Sequence, residues 1–473
     1  MASPWANVPS HEQCFVMVTG ANSGVGLAIC QRLMDDFLAT RSLSSHLILI
    51  PTTRSAKKSC ETIESLRAYL TKSAKSKKLA NRSGDGYYPH WVTDRVHILS
   101  AELDLCKLPS IYSAAAKLLN GELRDPTGVI AGGNPLSIPW LDAVVCNAGY
   151  GGWSGLDWLG VASQVFSVGV MQSFTFPSFK VALPSSILRP QEVGGEKAQE
   201  SQPEMGEVFT ANTFGHYILV HQLIPLMSRA STPARVIWTS TVDAEEHHLD
   251  LDDLQGLRSR AAYESSKRLT DMISLSSSLP SVQKVSSSYF SSPSGGSKPR
   301  FYLTHPGVVC TPLFPLNAFL YFWYYLAMYV CRFLGSPWHT VETYVAACSA
   351  VWLALAPQDE LEAENAERVK WGSACDRFGN DGPKKSEVEG WGWEGKIEDA
   401  EAIRQDPSEG IRRKLVGRKW DAVELTQEKR YKFEEDAVVC WRRLEELRTQ
   451  WEDILGRGTY EGSEAKTAGK REA

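Results

Sequence analysis

A buried strand that runs straight into a glycine-rich turn and then a helix restricts the fold of this chain more than any other feature. Residues 14–20, CFVMVTG, form a β-branched, apolar run, the pattern of a strand covered on both faces. Residues 26–39, GLAICQRLMDDFLA, then take up helical period. Between them lie Gly20, Gly24 and Gly26 of TGANSGVG. Glycines at these places let the backbone approach a pyrophosphate closely and set helix N–H groups, with the positive end of the helix dipole, against it. A glycine triplet alone also makes an ordinary turn; the preceding buried strand is what favours a nucleotide.

Further strand-like runs follow at HLILIPTTR, RVHILSAELD, LDAVVCNAG, ARVIWTST and RFYLTHPG, separated by helical or polar stretches. This alternation predicts an α/β fold, a Rossmann-type doubly wound parallel sheet covered on both faces. The main unit is expected over residues 12–357, after an N-terminal tail of residues 1–11. Two stretches rich in Ser, Gly, Pro or charge, residues 185–204 and 280–299, read as solvated insertions. Past Pro357 the chain turns charged. Residues 358–473 therefore read as an extension, a helical appendage carried by AVVCWRRLEELRTQWEDIL and ending in a disordered tail.

A net charge of −5 carries no nucleic-acid signature. Ten cysteines are scattered without a C-x-x-C pair, which argues against a zinc site or a disulfide framework and fits a reducing compartment. His247 and His248 are neighbours in a polar loop and read as solvated, so no metal is expected. The first twenty residues lack a basic region followed by a long apolar run, so no cleaved secretory signal is expected.

Two local patterns carry chemistry. The second strand should end at the adenosine ribose, where an Asp or Glu binds both hydroxyls of a cofactor without a 2′-phosphate. No acid occurs between Leu47 and Cys60; Thr53, Arg54, Lys57 and Lys58 stand there instead. Arg54 would pair with a phosphate that a carboxylate would repel, so NADPH is expected over NADH. In AAYESSKRLTDM, Tyr263 and Lys267 are four residues apart on a helical pattern, which brings an ammonium near a phenol and should lower its pKa. That spacing also arises by chance, so the pair needs its context.

With that context the motifs resemble the short-chain dehydrogenase/reductase family. TGANSGVG resembles the family's T-G-x-x-x-G-x-G signature, which implies that Thr19, Gly20, Asn22, Ser23, Gly24, Val25 and Gly26 bind the cofactor, with Arg54 at its ribose. CNAG resembles the N-N-A-G segment, with Cys146 where the first Asn is usual and Asn147, Ala148 and Gly149 retained. Asp104 resembles the aspartate beside the adenine ring, and Asn212 the helix asparagine that supports a proton-relay water. HPGVVCT resembles the segment that closes over the nicotinamide, implying contacts from Pro306, Gly307, Val309 and Thr311. The resemblance makes Tyr263 the general acid and Lys267 its partner and ribose ligand. It places the catalytic hydroxyl on Thr241, or on Ser240 if the register slips by one.

Other stretches, GLDWLGVASQVF, ANTFGHY, AAYESSKRLTD and RFLGSPWHTVETY, resemble more narrowly the fungal 3-keto-steroid reductases of sterol C4 demethylation, to which an animal 17β-hydroxysteroid dehydrogenase, type 7, is related. This resemblance implies reduction of a sterol 3-ketone to the 3β-alcohol in ergosterol biosynthesis. Its implied partners are the sterol ketone, a membrane surface, other enzymes of the C4 demethylation complex and a sterol cyclase. Its implied location is the cytoplasmic face of the endoplasmic reticulum membrane and lipid droplets. Two other readings are a reductase of the same fold acting on another lipid ketone or aldehyde, and a scaffold for sterol-biosynthetic enzymes. Residues 318–334 begin with AFLYFWYYLAMYV, apolar all round. About 13 residues make a helix of roughly 20 Å, short of a ~30 Å hydrocarbon core. The tract is therefore expected to lie at a membrane interface or over the substrate, or else to be a buried helix capping the core.

Overall fold

The computed structural model describes residues 3–182, 188–191, 202–291, 295–311, 317–397 and 417–456. β1 (Gln13–Val18) leads through the glycine loop to α1 (Gly24–Thr40), and β2 (His46–Thr53) with α2 (Ala56–Ser73) repeats the unit. β3 (Val96–Ile98), α3 (Leu108–Leu119) and β4 (Ala143–Cys146) follow. A hairpin of β5 (Trp153–Leu156) and β6 (Lys180–Ala182) then encloses α4 (Trp158–Val168) and α5 (Val170–Thr175). The chain continues through α6 (Gly215–Met227), β7 (Arg235–Thr239), α7 (Ala262–Ser276), α8 (Pro280–Val285) and β8 (Arg300–His305). It ends with α9 (Ala318–Phe333), α10 (Cys348–Leu355), β9 (Lys370–Cys375), β10 (Asp381–Ser386) and α11 (Gln427–Ile454).

The sheet order is β10-β9-β8-β7-β4-β1-β2-β3, with the two-residue strand Ala101–Glu102 beside β2. All these pairs are parallel except β9 with β10. The central strands are buried on both faces, and their side chains alternate between two cores as the period of two requires. Phe15 and Met17 join Val144, Val236 and Trp238 against α3, α6 and α7. Val16 and Val18 join Ala143, Val145 and Ile237 against α1, α2 and α10. Strand order reverses between β1 and β4, which opens the crevice where doubly wound folds bind ligands.

Several boundaries differ from the sequence reading, each because apolar side chains override local composition. Trp5, in the expected tail, is buried against Phe15, and Gln13 Nε2 donates to the Trp5 and Val8 carbonyls. Residues 280–299 are not wholly a solvated insertion: α8 lies within them, and Val282, Tyr289 and Phe290 are buried against Trp441 and its neighbours. The serines that suggested solvent are the spacers of an aromatic cluster. The boundary at 357 does not divide the sheet, because β9 and β10 extend it past β8. α11 is the appended helix, yet Phe433, Trp441, Leu444 and Trp451 bury its inner stripe in the main core. Of residues 185–204, the described part includes Gln191, which is buried and bridges the Leu108 N–H and the Cys106 carbonyl. The rest of that insertion and the expected disordered tail lie largely outside the described residues.

Candidate active site

The glycine loop is held by contacts that only its own residues allow. Gly20 and Gly24 have φ of +65° and +57°, where a side chain is disfavoured. A Cβ on Gly26 would lie 2.3 Å from the Gly20 carbonyl oxygen and 2.6 Å from Asn147 Nδ2, so the helix packs on the loop only because it is absent. Thr19 is buried beneath the loop. Its hydroxyl accepts the N–H groups of Asn147 (2.9 Å) and Ala148 (3.0 Å), and Asn147 Nδ2 donates to the Thr19 carbonyl (3.1 Å). β1 and β4 are thereby locked together at their C-terminal ends. Cys146, in place of the usual Asn, is fully packed in the core below.

The residues present fit a dinucleotide. Apart from its chain neighbours and its own helix, nothing lies within 4 Å of a Cβ position at Gly24, and the Ser23 side chain makes no capping bond to α1. The free N–H groups and open space therefore face the same crevice. A cavity of about 910 Å³ begins there. Along one end it is lined by Gly20, Asn22, Ser23, Gly24, Val25 and Gly26, with Arg54 and Asp104 farther out. Arg54 is exposed at the cavity edge; Asp104 Oδ1 accepts the Cys106 N–H (3.1 Å).

At the middle of the cavity the chemistry-bearing side chains converge. Asn147, Ala148, Gly149, Ser240, Thr241, Tyr263 and Lys267 all line it, as do Pro306, Gly307, Val309 and Thr311. Thr19 and Asn212 do not; they stand behind the wall. Asn212 belongs to a π-helical turn, Thr210–Phe214, that precedes α6. Its amide accepts the Tyr150 N–H (2.7 Å) and donates to the Tyr150 carbonyl and the Ser266 hydroxyl (3.0 Å each). The loop after β4 and the helix of Tyr263 are thus pinned to one side chain. Pro306 to Cys310 is held by the facing segment: Val341 donates to the Val308 carbonyl and accepts from Cys310, both at 3.1 Å. Val341 does so at φ +57°, a conformation that a β-branched residue rarely takes.

The two candidate hydroxyls differ in what they are free to do. Ser240 is buried and donates to the Lys267 carbonyl (3.3 Å), whereas the half-buried Thr241 accepts from the Asp243 N–H (3.4 Å) and keeps its proton to donate. Lys267 Nζ donates to the Thr239 carbonyl (2.8 Å) and lies 5.7 Å from the Tyr263 ring centroid. Burial pushes the Lys267 pKa down to about 8, with Asp271 the main opposing charge. Tyr263 has other charged neighbours besides Lys267. Desolvation keeps the phenol above its ordinary value, the cation that opposes this is Lys180, and Glu264 and Asp243 add to the rise.

In sequence the chain is 46% identical over 470 residues to the 3-keto-steroid reductase ERG27 of Gibberella zeae, covering 96% of this chain and 97% of that one. It is 38% identical over 480 residues to the 3-keto-steroid reductase erg27 of Aspergillus fumigatus, covering 97% of both. The chain belongs to the fungal 3-keto-steroid reductases. The more distant 3-keto-steroid reductase ERG27 of Saccharomyces cerevisiae shares 27% identity over 375 residues, 79% of this chain and 89% of that one. No family model matches the chain. Among solved structures, a 3-oxoacyl-[acyl-carrier protein] reductase from Brucella melitensis in complex with NAD aligns with a TM-score of 0.38 and 14% identity, over 72% of this chain and 89% of that one.

The cavity also has an apolar wall, formed by Trp153, Leu156, Trp158, Phe174, Phe179 and Tyr324. The motifs assign none of these positions, nor Lys180, Asp243 or His216, a role of its own, although Leu156 and Trp158 fall within GLDWLGVASQVF, His216 within ANTFGHY and Tyr324 within the apolar tract; Lys180 and Asp243 lie outside those stretches. His216 lies four residues after Asn212, and burial pushes its pKa down to about 3. Its Nδ1 is 3.3 Å from the Asn212 carbonyl, which can only accept. Nε2 is then left to accept the Thr19 hydroxyl at 2.8 Å. No three-residue His/Cys/Asp/Glu metal cluster occurs among the described residues. α9 is not apolar in all directions of contact. Met328, Cys331 and Arg332 face inward, while Phe319, Phe322, Trp323, Leu326 and Phe333 are exposed.

Proposed function

We propose that this chain reduces a sterol 3-ketone to the 3β-alcohol with NADPH, as a step of sterol C4 demethylation. The observation that carries the reading is the continuity of one cavity. A glycine-lined dinucleotide end meets an apolar end at Tyr263, Lys267 and Thr241. The apolar end suits a rigid hydrocarbon skeleton, and the polar junction suits a single ketone oxygen. NADPH, when bound, supplies the hydride. Tyr263 donates its phenolic proton to the ketone oxygen as negative charge builds there. Thr241 donates a hydrogen bond to the same oxygen, and Ser240 holds the start of the Lys267 turn rather than the substrate. Lys267, poised between Thr239 and the Tyr263 ring, binds the cofactor ribose. Arg54 at the cavity edge, with no acid nearby on β2, supports the 2′-phosphate form of the cofactor.

The same reading places the protein on a membrane surface, at the cytoplasmic face of the endoplasmic reticulum or on lipid droplets, beside other enzymes of sterol synthesis. No helix among the described residues is long and apolar enough to cross a membrane. The support is a pair of helices that line the cavity with one side and bare apolar side chains on the other. Leu320, Trp323 and Tyr324 of α9 and Trp158 and Val161 of α4 line the cavity. Phe319, Phe322 and Phe333 of α9 and Leu159 and Phe166 of α4 are solvent-exposed, Phe166 at 91%. A sterol ketone entering between these helices would pass from lipid to pocket without crossing water. Replacing Phe319, Phe322, Leu326 and Phe333 together by Ser should abolish flotation with liposomes while leaving turnover of a detergent-solubilised ketone. Unchanged flotation would remove this face from membrane binding. The reaction itself is tested by sterol profiling of cells that lack the protein. They should accumulate 3-ketones, and wild-type protein but not Tyr263→Phe should clear them.

A further inference from the structure

The second strand of the hairpin beside the apolar wall begins with a lysine that has no place in the reaction described so far. Lys180 is the first residue of β6, and its side chain is only 10% exposed. Its ammonium lies 2.7 Å from Asp243 Oδ2 and also pairs with the Glu264 carboxylate. Both acids are nearly buried, at 7% and 4%. Asp243 follows Thr241 by two residues and Glu264 follows Tyr263 directly. The lysine also lies 5.5 Å from the centroid of the Trp153 ring, whose ring centroid is 4.6 Å from that of Tyr263. Lys180, Trp153, Asp243 and Tyr263 all border the cavity.

One cation and two carboxylates thus sit beside an acid that must itself become an anion. Their formal sum is −1. Without the lysine it would be −2, next to a phenol already desolvated, and charge at such short range in a buried site is weakly screened. Lys267 does not take its place in these pairs: among the described residues Asp243 and Glu264 both pair with Lys180, while the Lys267 ammonium donates to the Thr239 carbonyl. We propose that Lys180 is a positioning residue of the reduction, a second cation that offsets Asp243 and Glu264 beside Tyr263 and so lets the phenol surrender its proton to the ketone oxygen. The inference rests on Tyr263 being the acid. The proton leaves the phenol, the carbonyl carbon receives the hydride, and the phenolate remains in the field of Lys180.

The groups that act on this site come from every element around it. They are Lys180 on β6, Asp243 and His248 after β7, Glu264 and Lys267 on α7, and Lys370 on β9, which pairs with Asp271. The test is the pH profile of the reverse reaction, oxidation of the 3β-alcohol with NADP⁺, which needs the phenolate and so rises with pH through the Tyr263 ionisation. Lys180→Met should move the midpoint of that rise upward by about one unit or more, and lower the rate of ketone reduction by about 10²-fold, the low end for acid–base catalysis. Lys180→Arg should restore the midpoint. Asp243→Asn leaves a neutral Lys180–Glu264 pair with no stranded charge, and should move the midpoint downward, so the idea stays testable even where Lys180→Met fails to fold. A role confined to packing would scale the rates and leave every midpoint in place, which would overturn the proposal. Loss of turnover in Tyr263→Phe is a separate experiment, and its failure would remove the acid itself rather than its cation.

Discussion

The two ends of the cavity are built on different principles. The dinucleotide end is made of backbone: glycines at positive φ, uncapped N–H groups of α1, and Thr19 and Asn147 hydrogen bonds that tie β1 to β4. Its tolerance is set by single atoms, since one Cβ on Gly26 would collide with both the loop and Asn147. The apolar end is made of large side chains gathered from the β5–β6 hairpin, α4, α5 and α9. Aromatic walls of this kind can yield to substitution, because similar volumes repack. The contrast teaches that the glycine-lined end should fail sharply and the apolar end gradually. Between them, the reacting groups should behave as neither.

The sharpest break is expected at the junction. Tyr263→Phe removes the acid and leaves the ring against Trp153, so reduction should fall by at least about 10²- to 10⁴-fold. The cofactor dissociation constant, read by fluorescence titration, should barely change. Thr241→Ala should follow with a loss of about 10²-fold, the scale of one donor to a developing oxyanion. Ser240→Ala should cost far less, because the Ser240 hydroxyl is spent on the Lys267 carbonyl. Single-turnover rates for the two variants give the order, and the reverse order would hand the role to Ser240.

At the dinucleotide end, Gly26→Ala tests the atom-level tolerance. Relieving contacts of 2.3 and 2.6 Å should cost roughly 1–3 kcal/mol of overpacking. Thermal unfolding with and without cofactor should show that cost, together with a weakened response to the nucleotide. A fully retained response would mean that α1 shifts freely and that the loop is not the rigid half of the cavity. Arg54→Ala should have the smallest effect, because the side chain is exposed. Affinity for NADPH should fall about tenfold, as expected for losing one charge-assisted contact. NADH affinity should stay in place, so the preference between them narrows. Equal wild-type affinities for the two nucleotides would contradict the 2′-phosphate role.

The same contrast explains what could be read from the residues alone. Backbone-built features leave a local signature, so TGANSGVG, CNAG and HPGVVCT mark the dinucleotide end and its order along the chain. The doubly wound sheet is legible for the same reason: each buried strand sits in an apolar run that the sequence shows directly. Side-chain-built features leave none. Lys180 sits in PSFKVALP and Asp243 in STVDAEE, and nothing in either stretch says that they meet beneath Tyr263. The Tyr-x-x-x-Lys spacing marks the pair but not its surroundings, because helical geometry puts Lys267 near the ring while the hairpin, from much earlier in the chain, brings in a second cation, Lys180. Composition misled at residues 280–299 because Tyr289 and Phe290 lie between serines, and two aromatic side chains outweigh many hydroxyls once a partner such as Trp441 is available.

The most direct test of the central claim follows one hydrogen through the junction of the two ends. The purified full chain would be given a sterol 3-ketone in detergent with NADPH carrying deuterium on the transferable position, and the product analysed by mass spectrometry and NMR. The expected product is the 3β-alcohol with one deuterium at C3, formed by wild type and lost in Tyr263→Phe. Recovery of unreduced ketone from a folded wild-type protein that binds the cofactor, or equal labelled product from Tyr263→Phe, would contradict it.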